Sequence, residues 1–154
     1  MKELKSFLCA FRGISDAIRS EAHLRFHLMA TFYVVIFAAL GEFTSTQWVL
    51  LTLTISSVIC AELVNTATER LCDLYSCEKC EKIRFIKDVA AGAVLVTAIG
   101  AAIVAVILFL VEGKLALGFE KLLSSPRHLV TLGLSLIFWI VFLIQPLRKH
   151  KNKD

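Results

Sequence analysis

Four apolar stretches, residues 26–41, 48–66, 89–111 and 129–147, constrain this chain more than anything else in it. A helix needs about 20 mainly apolar residues to cross the hydrocarbon of a bilayer. The third and fourth stretches meet that length outright, while the first is short and interrupted by His27 and Thr31. With 154 residues, 57% of them hydrophobic, and a mean hydropathy of +0.73, the chain has no room for a second, soluble domain. The expected fold is therefore an all-α integral membrane protein. The residues ahead of the first stretch mix charges throughout and lack the apolar run of a cleaved leader, so the N-terminus is expected to stay in the cytoplasm.

The basic residues give the expected orientation. Lys2, Lys5, Arg12, Arg19 and Arg25 precede the first span, and Arg70, Lys79, Lys82, Arg84 and Lys87 lie between the second and third. Arg148, Lys149, Lys151 and Lys153 follow the fourth, whereas only Lys114, Lys121 and Arg127 lie on the other side. The positive-inside rule then puts both termini and the 67–88 loop in the cytoplasm, with the Gly-Glu-Phe-Thr-Ser-Thr-Gln turn and the 113–127 connection facing outward. Ahead of the first span, Leu4, Phe7, Leu8, Phe11, Ile14 and Ile18 recur at helical spacing among charged neighbours. They predict an amphipathic helix over about residues 3–20, either lying along the membrane surface or packed on the inner ends of the spans.

The second span closes on Ala-Glu-Leu-Val-Asn-Thr-Ala-Thr-Glu-Arg-Leu-Cys-Asp-Leu, where Glu62, Asn65, Glu69 and Asp73 follow one another at spacings of three, four and four. On a helix these positions share an arc of roughly 80° and form one polar stripe. If Trp48 marks the outer interface, the helix meets the inner one near Thr66–Thr68. Glu62 then sits just inside the apolar boundary and Glu69 and Asp73 reach cytoplasmic water. An acid inside a membrane costs several kcal/mol unless paired, so Glu62 marks a functional site by default. A carboxylate held out of water suits the removal of a proton from an alcohol. Glu69, wet and accessible, suits a hard cation such as magnesium, which is often held by one or two carboxylates plus substrate phosphates.

Two further segments reach the same depth: Ile-Arg-Ser-Glu-Ala-His-Leu-Arg-Phe-His, with Glu21 just before the first span, and Ile-Lys-Asp-Val-Ala-Ala-Gly-Ala-Val, with Lys87 and Asp88 opening the third. The bland alternative is a polar stripe that only joins helices, with Glu62 bonded to a Ser or Thr. The competing functional class is a small proton-coupled transporter with Glu62 as proton carrier, but such a protein needs a water path to both sides, and here the acids cluster at one interface. A scaffolding protein would leave Glu21, Lys87 and Asp88 without a role. Cys77-x-x-Cys80 with Cys72 nearby lacks an evident fourth zinc ligand. His23 and His27 read as interface residues. The basic residues follow topology rather than forming a stripe with aromatics, so no nucleic-acid partner is expected. No Gly-rich nucleotide loop is present either.

The three segments, residues 11–27, 61–74 and 86–94, together resemble the prokaryotic diacylglycerol kinases, a family that includes the undecaprenol kinases of Gram-positive bacteria. The Glu-x-x-Asn-x-Ala-x-Glu-x-x-x-Asp pattern is its most specific part, and the Arg-Ser-Glu-x-x-x-Arg-x-His run is closer to the undecaprenol-kinase branch. The resemblance covers about residues 5–110 and implies a homotrimeric, multi-pass enzyme of the cell (inner) membrane. It implies transfer of the γ-phosphoryl of ATP to a membrane-lipid hydroxyl with Mg2+, undecaprenol being favoured and diacylglycerol second. By position it makes Glu62 the catalytic base, Asn65 a polar active-site residue, Glu21 and Glu69 the metal carboxylates, and Lys87 with Asp88 nucleotide contacts. Glu21, Glu69 and Glu78 also fall among the nucleotide-binding positions, and Asp73 and Arg19 are secondary candidates. The kinase domain would then be residues 1–111. Residues 112–154, with the fourth span and a basic tail, lie beyond the usual three-helix unit, and the Tyr-Ser-Cys-Glu-Lys-Cys-Glu-Lys loop departs from the aromatic and His frequent in the family.

Overall fold

The computed structural model describes residues 2–75 and 80–145, and among these the regular structure is helical throughout. Helix α1 runs Lys2–Ser20, α2 Ala22–Leu40, α3 Ser45–Tyr75 and α4 Glu81–Ala105, the last continuing as a π-helical turn over Val106–Val111. Then come α5, Lys114–Leu123, and α6, Pro126–Ile144. Helix α2, α3, α4 with its π turn, and α6 are each long and apolar enough to cross a membrane. The chain is a multi-pass membrane protein. Helix α5 was not anticipated: it fills the connection between the third and fourth spans, with Gly113 supplying the left-handed turn ahead of it (φ 68°).

The apolar core sits at the end of the bundle that carries Glu42. Ala38, Phe43, Leu51, Leu108 and Phe109 are buried there, with Phe37, Trp48 and Leu115 packed against them. The Phe43 and Phe109 rings meet at 4.9 Å and those of Phe37 and Phe119 at 5.0 Å. Helix α3 opens at this end with a reciprocal capping box. The Thr44 N–H donates to Gln47 Oε1 (2.6 Å) and the Gln47 N–H to Thr44 Oγ1 (3.4 Å), which satisfies two donors a helix start otherwise leaves free. The Gln47 amide also donates to Glu112, tying the α2–α3 turn to the end of the π-helical turn. Glu42 pairs with Lys121, and the Lys121 ammonium hydrogen-bonded to it holds the Glu42 carboxyl below its ordinary range.

Gly41 makes this end possible. A Cβ there would lie 2.9 Å from the carbonyl oxygen of Lys114 and 3.0 Å from that of Phe37, both backbone atoms that cannot swing aside. Gly41→Ala is expected to destabilise the protein by about 1–3 kcal/mol, the usual cost of forcing a methyl into a filled space. Unfolding in detergent, followed by circular dichroism, would show it; an unchanged transition would mean that α5 docks less closely than the geometry says.

At the opposite end Arg25 performs the equivalent task. It is 3% exposed. Its Nε donates to the Ile18 carbonyl (2.7 Å), Nη2 to that of Arg19 (2.7 Å), and Nη1 to those of Phe142 (3.2 Å) and Gln145 (2.8 Å). One guanidinium thus closes the last turns of both α1 and α6, where carbonyls lack intrahelical partners and carry the negative end of the helix dipole. Its carbon lies 5.3 Å from the centroid of the Phe142 ring. Glu21, extended at φ −111° and ψ 118°, makes the break that lets α1 turn away from α2. Helix α6 runs back along α2, with Tyr33 hydroxyl to Ser135 hydroxyl at 3.2 Å and the Phe32 and Trp139 rings 5.7 Å apart.

Candidate active site

The α1–α2 junction and the second half of α3 bring the acids of the sequence motif together with basic partners. Glu62 is 5% exposed. Its Oε1 lies 3.0 Å from Nε2 of His27, whose side chain is 22% exposed. An acid at this depth is not left alone in hydrocarbon but paired across two spans, as the cost of burying charge requires. One turn further along, buried Thr66 follows on the same helix face.

Asn65 and Glu69 form the next level. The Asn65 amide donates to Glu69 Oε1 at 2.9 Å and so fixes the carboxylate four residues on. The other Asn65 atom, Oδ1, is buried and meets no hydrogen-bond partner among the described residues. Such an acceptor is uncommon, and here it lies beside a carboxylate. Glu21, at the α1–α2 break, is 3.7 Å from Nη2 of Arg70, the neighbour of Glu69, which places the α1–α2 junction against α3 at this level. The lowest level is an exposed pair, Lys87 Nζ to Asp73 Oδ1 at 2.5 Å, joining α4 to α3.

Asp88 and Arg19 stand apart. Asp88 is exposed next to Lys87, and no ion pair reaches it among the described residues. The Arg19 side chain lines a groove with Phe11, Ile14 and Ile18 of α1 and with Phe142 and Gln145 at the end of α6. Glu78, Lys79 and Cys77 lie outside the described residues. Cys72 is buried and Cys80 exposed, and among the described residues no three His, Cys, Asp or Glu side chains gather closely enough to hold a metal by themselves.

Two contacts were not read from the sequence. The sequence reads His27 as an interface residue and Arg70 only as a marker of orientation, yet each sits on one of the motif acids. The signal for His27 was present: an ionisable residue inside one span looks for a partner at equal depth on another.

This is a multi-pass helical membrane protein with carboxylates, a carboxamide and basic side chains graded from buried to wet over three levels. Comparison with known proteins gives the family. A model of the prokaryotic diacylglycerol kinases matches residues 8–109, and the chain belongs to that family of lipid kinases. The undecaprenol kinase of Bacillus subtilis is 37% identical over 106 residues, covering 69% of this chain and 86% of that protein. The diacylglycerol kinase of Synechocystis sp. is 36% identical over 102 residues, covering 66% of this chain and 58% of that protein. No solved structure matches. Family membership disfavours the transporter reading of Glu62, and the match ends before α5 and α6 begin.

Proposed function

We propose that the protein transfers the γ-phosphoryl group of ATP to the hydroxyl of a membrane lipid at the cytoplasmic interface, with Mg2+ required and undecaprenol favoured over diacylglycerol as acceptor. The observation that carries the reading is the graded site itself: one buried acid, then a carboxamide and carboxylate, then a lysine in water. Phosphoryl transfer asks a protein mainly for positioning and charge neutralisation, and these groups supply both. The alcohol approaches from the bilayer and the nucleotide from the water. Glu62 takes the proton of the lipid hydroxyl, while Lys87 and Asp88 hold the nucleotide and Glu78 adds a contact from the loop. Asp73 keeps Lys87 in place until the phosphates arrive, and Arg19 lies where an anionic head group would pass.

The residues present fit a magnesium ion. Glu69 offers a hard carboxylate, and the unpartnered, buried Oδ1 of Asn65 lies on the side chain that holds it. Glu21, paired with Arg70 beside Glu69, would be the second carboxylate, with substrate phosphates as the remaining ligands. When bound, the ion neutralises charge on the transferring phosphoryl group. Glu62 and Glu69 stand about 10 Å apart along α3, room for hydroxyl, phosphoryl and metal.

A homotrimer, with both termini cytoplasmic, is part of the same proposal. Nothing lies within 4 Å of the Cβ positions of Gly92 and Gly100 on α4, and α4 buries no residue within the single chain. Small residues of this kind allow close approach of helices from another copy. The resemblance to the undecaprenol kinase of Bacillus subtilis, which extends over most of that protein, supports the acceptor preference.

The test is phosphate transfer from labelled ATP in mixed micelles, with undecaprenol and a diacylglycerol offered separately. Transfer should require Mg2+, disappear on chelation and return on readdition, with kcat/KM at least ~10-fold higher for undecaprenol. Equal or higher kcat/KM for diacylglycerol would overturn the acceptor assignment, and no transfer to either lipid would overturn the kinase reading.

A further inference from the structure

A general base is only as useful as its aim. A glutamate has three side-chain torsions, and fixing them costs on the order of 1–2 kcal/mol in lost rotamer freedom. Sites that rely on such a base often contain a second group that orients it. In this protein the group facing Glu62 is His27: Nε2 lies 3.0 Å from Oε1, and both side chains are largely withdrawn from solvent. This ion-pair contact is the one polar side-chain contact to the Glu62 carboxylate among the described residues, so Oε2 is left open.

The position of His27 is itself fixed from two sides. Arg25, two residues earlier, binds the carbonyls that end α1 and α6 and so anchors the first turn of α2. The Phe26 ring stands edge-on to the imidazole, with centroids 5.9 Å apart.

We infer that His27 is the positioning residue for Glu62, its Nε2 pairing with Oε1 so that Oε2 is presented to the incoming lipid hydroxyl. The inference rests on the reading of Glu62 as the base. In the transfer step the hydroxyl oxygen forms its bond to the γ-phosphorus as the bond from that phosphorus to the ADP oxygen breaks. The electron pair leaves with ADP, the hydroxyl proton passes to Oε2, and His27 keeps its own proton throughout. His27 therefore acts on the rate through Glu62 and touches neither substrate.

The experiment is steady-state kinetics on the purified full chain in mixed micelles, with whichever lipid the wild type phosphorylates. His27→Phe keeps a ring of similar size and removes the donor; His27→Gln keeps a donor. His27→Phe is expected to lower kcat about 30- to 100-fold, with KM for ATP and for lipid within about threefold. His27→Gln should recover kcat to within about fivefold of wild type, which a purely structural role for the ring would not produce. Because the effect runs through one carboxylate, adding His27→Phe to Glu62→Gln should cost less than about threefold more. Should His27→Phe give no cooperative melt, His27→Asn, whose shorter amide falls short of Oε1, takes its place with the same expected loss.

A kcat for His27→Phe within threefold of wild type overturns the inference, as does a His27→Gln variant no better than His27→Phe, or a full additional loss in the double variant. If the wild type transfers phosphate and Glu62→Gln does not, these outcomes count against His27 alone. If the wild type transfers phosphate to no lipid, the proposed function fails and the role of His27 fails with it.

Discussion

Glu62→Gln is expected to lower kcat for lipid phosphorylation by about 10³-fold while leaving KM for ATP within about threefold. The size follows from general-base catalysis, which typically contributes 10²- to 10⁴-fold. The substitution is nearly isosteric, and the Gln carbonyl oxygen can take the place of Oε1 beside His27 Nε2, so the 5%-exposed site keeps its shape and loses only its basicity. On the proposed reading ATP meets Lys87 and Asp88, and Lys87 pairs with Asp73 about three helical turns along α3 from Glu62, so the KM for ATP should be spared. Glu69→Gln should show the other pattern, a raised requirement for Mg2+ together with a lowered kcat, because it removes a hard ligand and leaves the base. A Glu62→Gln enzyme with kcat within tenfold of wild type would remove Glu62 from the chemistry.

Arg25→Ala is expected to cost about 3 kcal/mol of stability, and Arg25→Lys nearly as much. Four carbonyls at the ends of two helices share this guanidinium, and three of its nitrogens are engaged. Leaving buried acceptors unpaired costs roughly 1–3 kcal/mol each, reduced here because water can reach helix ends at the interface. An ammonium is a point donor and cannot span carbonyls on two helices as a planar fork does. The melting temperature in detergent should fall by roughly 10 °C. Limited proteolysis after α6 should also quicken, since α6 holds to α2 otherwise through Tyr33–Ser135 and the Phe32–Trp139 contact. A shift under about 2 °C would show that the two helix ends stand without Arg25.

The motif acids were legible in the sequence because depth and helical phase are both readable along one helix. Glu62, Asn65, Glu69 and Asp73 do lie along one continuous helix, α3, and Glu62 is the buried member. What sequence could not supply was the rotation of α2 against α3, and that rotation decides whether His27 meets Glu62 or lipid. The second role of Arg25 is hidden for a related reason: as a positive charge before a span it counts toward orientation, and only the turn at Glu21 reveals that it points back at two helix ends. Helix α5 was hidden in a connection judged by its charge, although Leu115, Gly118 and Leu122 repeat at helical spacing and Gly118 and Leu122 are buried.

The apolar core gathers at the Glu42 end, whereas Glu62 and Glu21 each meet their neighbouring helix through one ion pair, and α4 from Glu81 to Ala105 buries nothing within the chain. Mechanically this is a pair of forceps with its pivot far from its tips. Over a lever of about 20 Å, a tilt of about 5° at the pivot parts the tips by roughly 2 Å, and no side chain of the core has to leave its neighbours. On the proposed reading, a membrane lipid would enter such a gap sideways from the leaflet, and the energy needed would be that of bending the helices rather than melting them.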